Sequence, residues 1–195
     1  MSNNTKYIFL SPHLDDAIFS CGDYISKLTS EGEIVLVITI FSGYPLSQQL
    51  QPSAKQFHKL CNLGKYPIEE RKKEDRLACE RLQCDFRHLS YYECLYRKDR
   101  NGNFLYRHIY SELKNEDFPC VSDSSMVSYM GKTKELKMYQ EELDEKHYID
   151  RISSILCYKS QILIIWKSVE KLLNNIKELY LRNGAAYSIR FWIKK

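Results

Sequence analysis

Tyr7-Ile8-Phe9-Leu10-Ser11-Pro12-His13-Leu14-Asp15-Asp16-Ala17 is the stretch on which the fold turns. A short apolar run bounded by Ser-Pro reads as a buried strand over Tyr7–Leu10. In an open α/β sheet, ligands bind just beyond the carboxyl ends of the strands. His13, Asp15 and Asp16 occupy that place and supply a ring nitrogen, a carboxylate oxygen and a spare carboxylate. Zinc hydrolases use such a set: ligands that leave one position open for water, and a base for the water's proton. A plainer reading has the two aspartates capping the next helix, with His13 as a polar turn residue. Short His/Asp clusters also occur by chance, so spacing alone leaves both readings open.

Working outward, Asp16–Ser30 reads as a helix that Glu31-Gly32 closes, because glycine tolerates the left-handed turn there. Ile34–Phe41 is apolar almost throughout, the pattern of a parallel strand covered on both faces. Strand, helix and strand in this length form a βαβ unit, whose expected hand is right. Ser42 to Pro52 is a polar loop at the same sheet edge as His13. Ile68–Leu82 reads as a helix and Phe86–Tyr91 as the next strand. Tyr96–Gly102 is a charged turn with the Asn101-Gly102 signal. Phe104–Leu113 reads as a short helix and Asn115–Gly131 as a loop. Lys132–Arg151 carries little pattern, and Ile152–Leu181 reads as helix, with Trp166 packing in its apolar part.

The opening motif Pro12-His13-Leu14-Asp15-Asp16, with Ser20-Cys21-Gly22 and Gly32-Glu33-Ile34-Val35-Leu36-Val37-Ile38-Thr39, resembles the PIG-L/LmbE-like family of zinc-dependent N-deacetylases. Later segments follow in the family's order: Phe57-His58, Arg71 to Ala78, Tyr92-Glu93-Cys94-Leu95-Tyr96-Arg97, Tyr158-Lys159-Ser160-Gln161 and Arg190-Phe191-Trp192. The resemblance implies one domain over residues 1–195. It further implies a Rossmann-like three-layer α/β fold with a mostly parallel sheet flanked by helices. It also implies that His13 and Asp16 hold Zn²⁺ or another divalent metal, and that Asp15 is the base. The substrate class would be an N-acetylated amino sugar or glycoconjugate. Arg71 would fix the site loops or the sugar hydroxyls, and Arg97 would do likewise.

The chain departs from the family at several points. The family takes a third zinc ligand from a second motif of the His-x-x-His kind. Between Tyr139 and Ile155 this chain has one histidine, His147. The interval between Arg97 and Ser160 is short, as if the domain were cut down between about 110 and 150. Ala17 stands where many relatives carry an acid, and Asp23 replaces the second glycine of a pair. Zinc sites normally use at least three protein ligands. Two functions therefore follow: an active deacetylase, or an impaired relative that keeps a binding or relic role. A Rossmann nucleotide binder would need a Gly-rich loop after the first strand, and Pro12–Gly22 does not supply one.

Composition narrows the field further. Net charge is +4, with basic and acidic residues mixed along the chain, which argues against a nucleic-acid surface. The chain lacks a long uncharged apolar run, so a membrane span is not expected. Met1 to Lys6 lacks the apolar core of a signal peptide. The seven cysteines are odd in number and show no C-x-x-C pair, which suits a reducing compartment and a cytoplasmic location. Nothing in the chain sets its oligomeric state. Arg71 and Glu74 are spaced to share a helix face, and an exposed ion pair of small value is the competing reading. His58 reads as a surface or packing residue, and nothing singles out His88 or His108.

Overall fold

The structure, a computed structural model, describes residues 6–43, 45, 49–105, 136–182 and 187–194. The first half is β1 (Tyr7–Ser11), α1 (Asp16–Ser30), β2 (Val35–Thr39), α2 (Pro52–Leu60), α3 (Pro67–Arg81) and β3 (Asp85–His88). A single 3-10 turn follows at Cys94–Tyr96. The three strands run parallel in the order β1-β2-β3. The last residue of β1 starts α1, because the Ser11 hydroxyl accepts the Ala17 N–H at 3.0 Å. Gly32, at φ 83°, turns the chain out of α1. Proline opens both α2 and α3, where its missing N–H costs nothing.

The fold is the expected α/β arrangement of a parallel sheet and helices, with one difference at the sheet. Ile18, Ile25 and Leu28 of α1 join Ala78, Cys79 and Leu82 around Val35 and Val37 in one core. Both helices therefore cover the same sheet face. The residues of the other face that β1 contributes are open, Ile8 being 58% and Leu10 66% exposed. The sequence predicted cover on both sides of β2. Strand order supplies the reason: successive crossovers of one hand, stepping in one direction, place their helices on one face.

The second half diverges more from the sequence reading. β4 (Leu136–Glu142) pairs antiparallel with β5 (Ser188–Lys194) in a separate ribbon. Neither was legible: β4 alternates weakly and is polar. In place of one helix over Ile152–Leu181 the chain forms α4 (Glu145–Ile155), α5 (Lys159–Ile165) and α6 (Val169–Arg182). The first break is made by tertiary bonds. Tyr158 is fully buried and donates to Asp75 at 2.6 Å, while Glu74 accepts the Ser160 N–H at 2.8 Å and its hydroxyl at 2.5 Å. Lys167, at φ 65°, makes the second. β3 is shorter than predicted, and Ser90 only bridges Phe41. Phe104 bridges Lys98 and the Leu105 N–H donates to the Arg97 carbonyl at 3.0 Å, and the rest of the predicted helix, 106–113, lies outside the described residues, as does the loop Asn115–Gly131.

α1 and α4 are locked by a buried charge pair. Arg151 is 5% exposed and donates to Asp23 at 3.1 Å, to the Tyr180 hydroxyl and to the Phe19 carbonyl. Gly22 permits the approach, since a Cβ there would meet the Arg151 Cγ at 3.2 Å. Removing one partner of such a pair leaves an uncompensated buried charge. Arg151→Ala should lower the unfolding free energy by about 3–5 kcal/mol in urea titration. A loss below about 1 kcal/mol would show that the pair does not hold the two helices together.

Candidate metal and proton-transfer site

The turn between β1 and α1 sorts its three polar side chains by environment. The Asp16 carboxylate accepts both the His13 backbone N–H at 2.8 Å and the His13 Nδ1 at 3.1 Å. The two side chains are 44% and 41% exposed, so both face solvent. Asp15, one residue away, is 7% exposed and turned inward. Its backbone at φ 157°, ψ −33° lies outside the helix that begins at Asp16, which separates the two neighbouring carboxylates.

Behind Asp15 stands Arg71, from the buried side of α3 and 4% exposed. Its guanidinium donates to Glu93 at 2.6 Å, to the Leu14 carbonyl at 3.4 Å and to Asp15 at 3.5 Å. Burial pushes the Asp15 carboxyl up to about 7, against the opposing pull of Arg71. Asp16 sits below the usual carboxylate range: burial works against its charge, and the bonds from His13 outweigh that. The hydrogen bond to Asp16 raises His13 above an ordinary imidazole.

Arg97 lies on the rim. Its Nε donates to the Tyr92 carbonyl at 2.8 Å, and its guanidinium covers the Phe41 ring at 4.4 Å. Phe41 in turn lies 5.8 Å from the His13 ring, centroid to centroid. His13 thus pairs with Asp16, and Asp15 with Arg71, on the two sides of one turn, while Arg97 reaches His13 through Phe41. Arg71 and Glu74 do not form the exposed pair that their spacing permits. They leave α3 for different partners.

His147 lies elsewhere. It is 6% exposed, and its Nδ1 accepts the Asp144 N–H at 3.1 Å in a capping box at the start of α4. Its Nε2 pairs with Ser30 Oγ at 3.3 Å, at the end of α1 opposite Asp16. That helix has 15 residues, about 22 Å at 1.5 Å each, so His147 cannot join His13 and Asp16 on one ion. His58 is buried and bonded to the Tyr96 hydroxyl at 2.5 Å, which makes it a packing residue. His88 pairs with the buried Asp75 at 2.8 Å, a partner no local pattern announced. His108 lies outside the described residues.

Glu93 is the site residue that sequence reasoning passed over. It sits in the quoted run Tyr92 to Arg97 as its only acid. A buried arginine demands a buried acid, and that demand was the available signal. Phe41 gave none.

The donor set bears on a metal directly. Two ligand atoms about 2 Å from one tetrahedral ion stand about 3.3 Å apart. The Nδ1 of His13 and the Oδ2 of Asp16 are separated by 3.1 Å. The pair fits two positions of one divalent ion. Among the described residues no third His, Cys, Asp or Glu joins them.

Two outcomes follow. His147→Ala should cost about 1 kcal/mol through the lost cap, read by thermal unfolding, and leave divalent-metal affinity by calorimetry unchanged. A loss of affinity would place the histidine in the site after all. Asp15 has a raised folded-state pKa, so its contribution to stability is complete below about 4 and is lost as pH rises through about 7. In chelator, Asp15→Asn should therefore gain stability relative to the native chain as pH rises from about 4 to about 7, the values that set the window in the unfolded and the folded chain, and the difference should level off above it. A parallel pair of stability–pH curves would show that Asp15 is not buried against its charge.

Comparison with known proteins identifies the family and the fold. The family described as "PIG-L: GlcNAc-PI de-N-acetylase" matches residues 8–171. A 2'-N-acetylparomamine deacetylase of Niallia circulans is 35% identical over 115 residues, which cover 52% of this chain. The matched segment spans 41% of that relative's length. Among solved structures, the zinc-inhibited form of a teicoplanin deacetylase superposes with a TM-score of 0.78 at 19% identity, covering 97% of this chain and 98% of the other. An N,N'-diacetylchitobiose deacetylase from Pyrococcus horikoshii, complexed with its inhibitor, gives 0.56 at 17% identity, over 97% and 84%. The structural matches carry the fold, and the match over residues 8–171 carries the family. With its His-Asp pair at the end of β1 and its parallel sheet, this chain belongs to the PIG-L family.

Proposed function

We propose that this chain is a metal-dependent N-deacetylase that removes an acetyl group from an amino sugar or related glycoconjugate. One observation carries the reading. An exposed His13–Asp16 pair, spaced for one ion, adjoins a buried Asp15 that is held against Arg71. The relatives named above, deacetylases of paromamine, teicoplanin and chitobiose compounds, support the substrate class.

His13 and Asp16 would hold the ion, zinc being the first candidate. When bound there, a divalent ion supplies Lewis-acid polarisation of an amide carbonyl and of a water. Asp15 takes the proton from the attacking water and later returns it to the leaving amine. A carboxyl with a pKa of about 7 is suited to both directions near neutral pH. Arg71 is enclosed, so its role is to position Asp15 and not to meet sugar hydroxyls. Arg97, half-buried on the rim, takes that second role. No helix among the described residues is long and apolar enough to cross a membrane. We place the chain in the cytoplasm on its free thiols, six of which are described.

An impaired relative is the second reading, and one observation favours it: the described residues offer two donors where catalytic zinc takes three. Metal content after purification without chelator, measured alongside acetate release from N-acetylglucosamine conjugates, separates the two. An active enzyme should carry close to one ion per chain, and Asp15→Asn should retain it while turnover falls roughly 10²–10⁴-fold. Loss of the ion in Asp15→Asn would make Asp15 a ligand. Absence of both metal and acetate release would establish the impaired relative.

A further inference from the structure

The register of the parallel sheet sets Ile8 beside Leu36 and Asp85, Phe9 beside Val37 and Phe86, and Leu10 beside Ile38 and Arg87. Side chains alternate along a strand, so the first and third rows share one face. Among the described residues it is the face opposite α1 and α3. Ile8 and Leu10 are 58% and 66% exposed, and Leu36 and Ile38 beside them are half-buried. Contiguous apolar surface of this kind marks a site of association. On the edge strand the same two rows end in one acid and one base, Asp85 and Arg87, both exposed.

We propose that a second copy of this chain docks on this face, about a two-fold axis running across the strands at the Phe9–Val37–Phe86 row. Such an axis reverses the order of the rows. Ile8 meets Leu10 of the second copy, Leu36 meets Ile38, and Asp85 meets Arg87. Each contact occurs twice, as a self-complementary interface requires. Two sheets packed in this manner stand about 10 Å apart with interdigitating side chains. The charges select the register. Moving the axis by one row would set Arg87 against Arg87, or Asp85 against Asp85, and like charges at an interface are disfavoured. The face lies outside the His13–Asp16 turn, so this association does not depend on the proposed activity.

Sedimentation equilibrium of the full chain at low salt tests it. The native chain should form dimers. Asp85→Arg and Arg87→Asp should each raise the dimer dissociation constant about tenfold or more, and the double exchange should restore it to within about threefold. Both side chains are exposed, and an unchanged circular dichroism spectrum confirms that each variant folds. Ile8→Asp should yield monomer. A native chain that stays monomeric at every concentration overturns the proposal. A dimer indifferent to the single exchanges, or one the double exchange fails to restore, overturns it equally.

Discussion

The site depends on how one buried cation is shared. Arg71 has been taken out of water and must keep its charge, so it gathers acids around it. Glu93 holds the near position at 2.6 Å and Asp15 the far one at 3.5 Å. Because Glu93 already neutralises the guanidinium, Asp15 receives only part of the compensation that its burial demands. Its carboxyl therefore rises to about 7 beside a positive charge that would ordinarily lower it. The proton affinity of the proposed base is thus raised by burial and held in check by a cation that need not touch substrate.

That arrangement explains the odd composition of α3. Its buried positions are Pro67, Ile68, Arg71, Asp75, Ala78 and Cys79, a helical stripe in which two of six members are charged. Arg71 reaches the turn after β1. Asp75 accepts from Tyr158 and pairs with His88. Glu74, at the margin of the stripe, captures the start of α5. One helix thereby fixes the turn after β1, the end of β3 and the break between α4 and α5. Apolar packing alone would not set those three positions relative to one another, since it has no directional preference.

What the sequence made legible follows the same division. β1, α1 and β2 were readable because each is written in local terms: an apolar run, a proline, a glycine. The His13–Asp16 pair was readable because three residues of spacing suffice to describe it. α3 was placed within a residue at either end, while the partners of its charges were not foreseen, since Glu93 and Ser160 are distant in sequence. The helix expected over Ile152–Leu181 failed for that reason. Its interruption at Tyr158 is imposed by Asp75 and Glu74, and nothing nearby in the chain announces it. His147 was open to a ligand reading because a capping role for its ring is visible only once Asp144 and Ser30 are in place.

Asp15 and Asp16 show how far identical chemistry can be separated by position. As free side chains their carboxyls would titrate together. Asp16 begins α1, where it faces the ring and N–H of His13, and those bonds hold it ionised. Asp15 precedes the helix on a backbone turned away from it, and burial holds its proton. An ionised oxygen is what a metal requires of a ligand, and a carboxyl poised near neutrality is what a base requires. The turn after β1 therefore supports a division of labour whether or not a third donor completes the ion's shell. Metal affinity depends on that donor, while the readiness of Asp15 to exchange a proton depends on burial and on Arg71. The two can be lost separately, so an impaired relative would still carry the electrostatic signature of an enzyme.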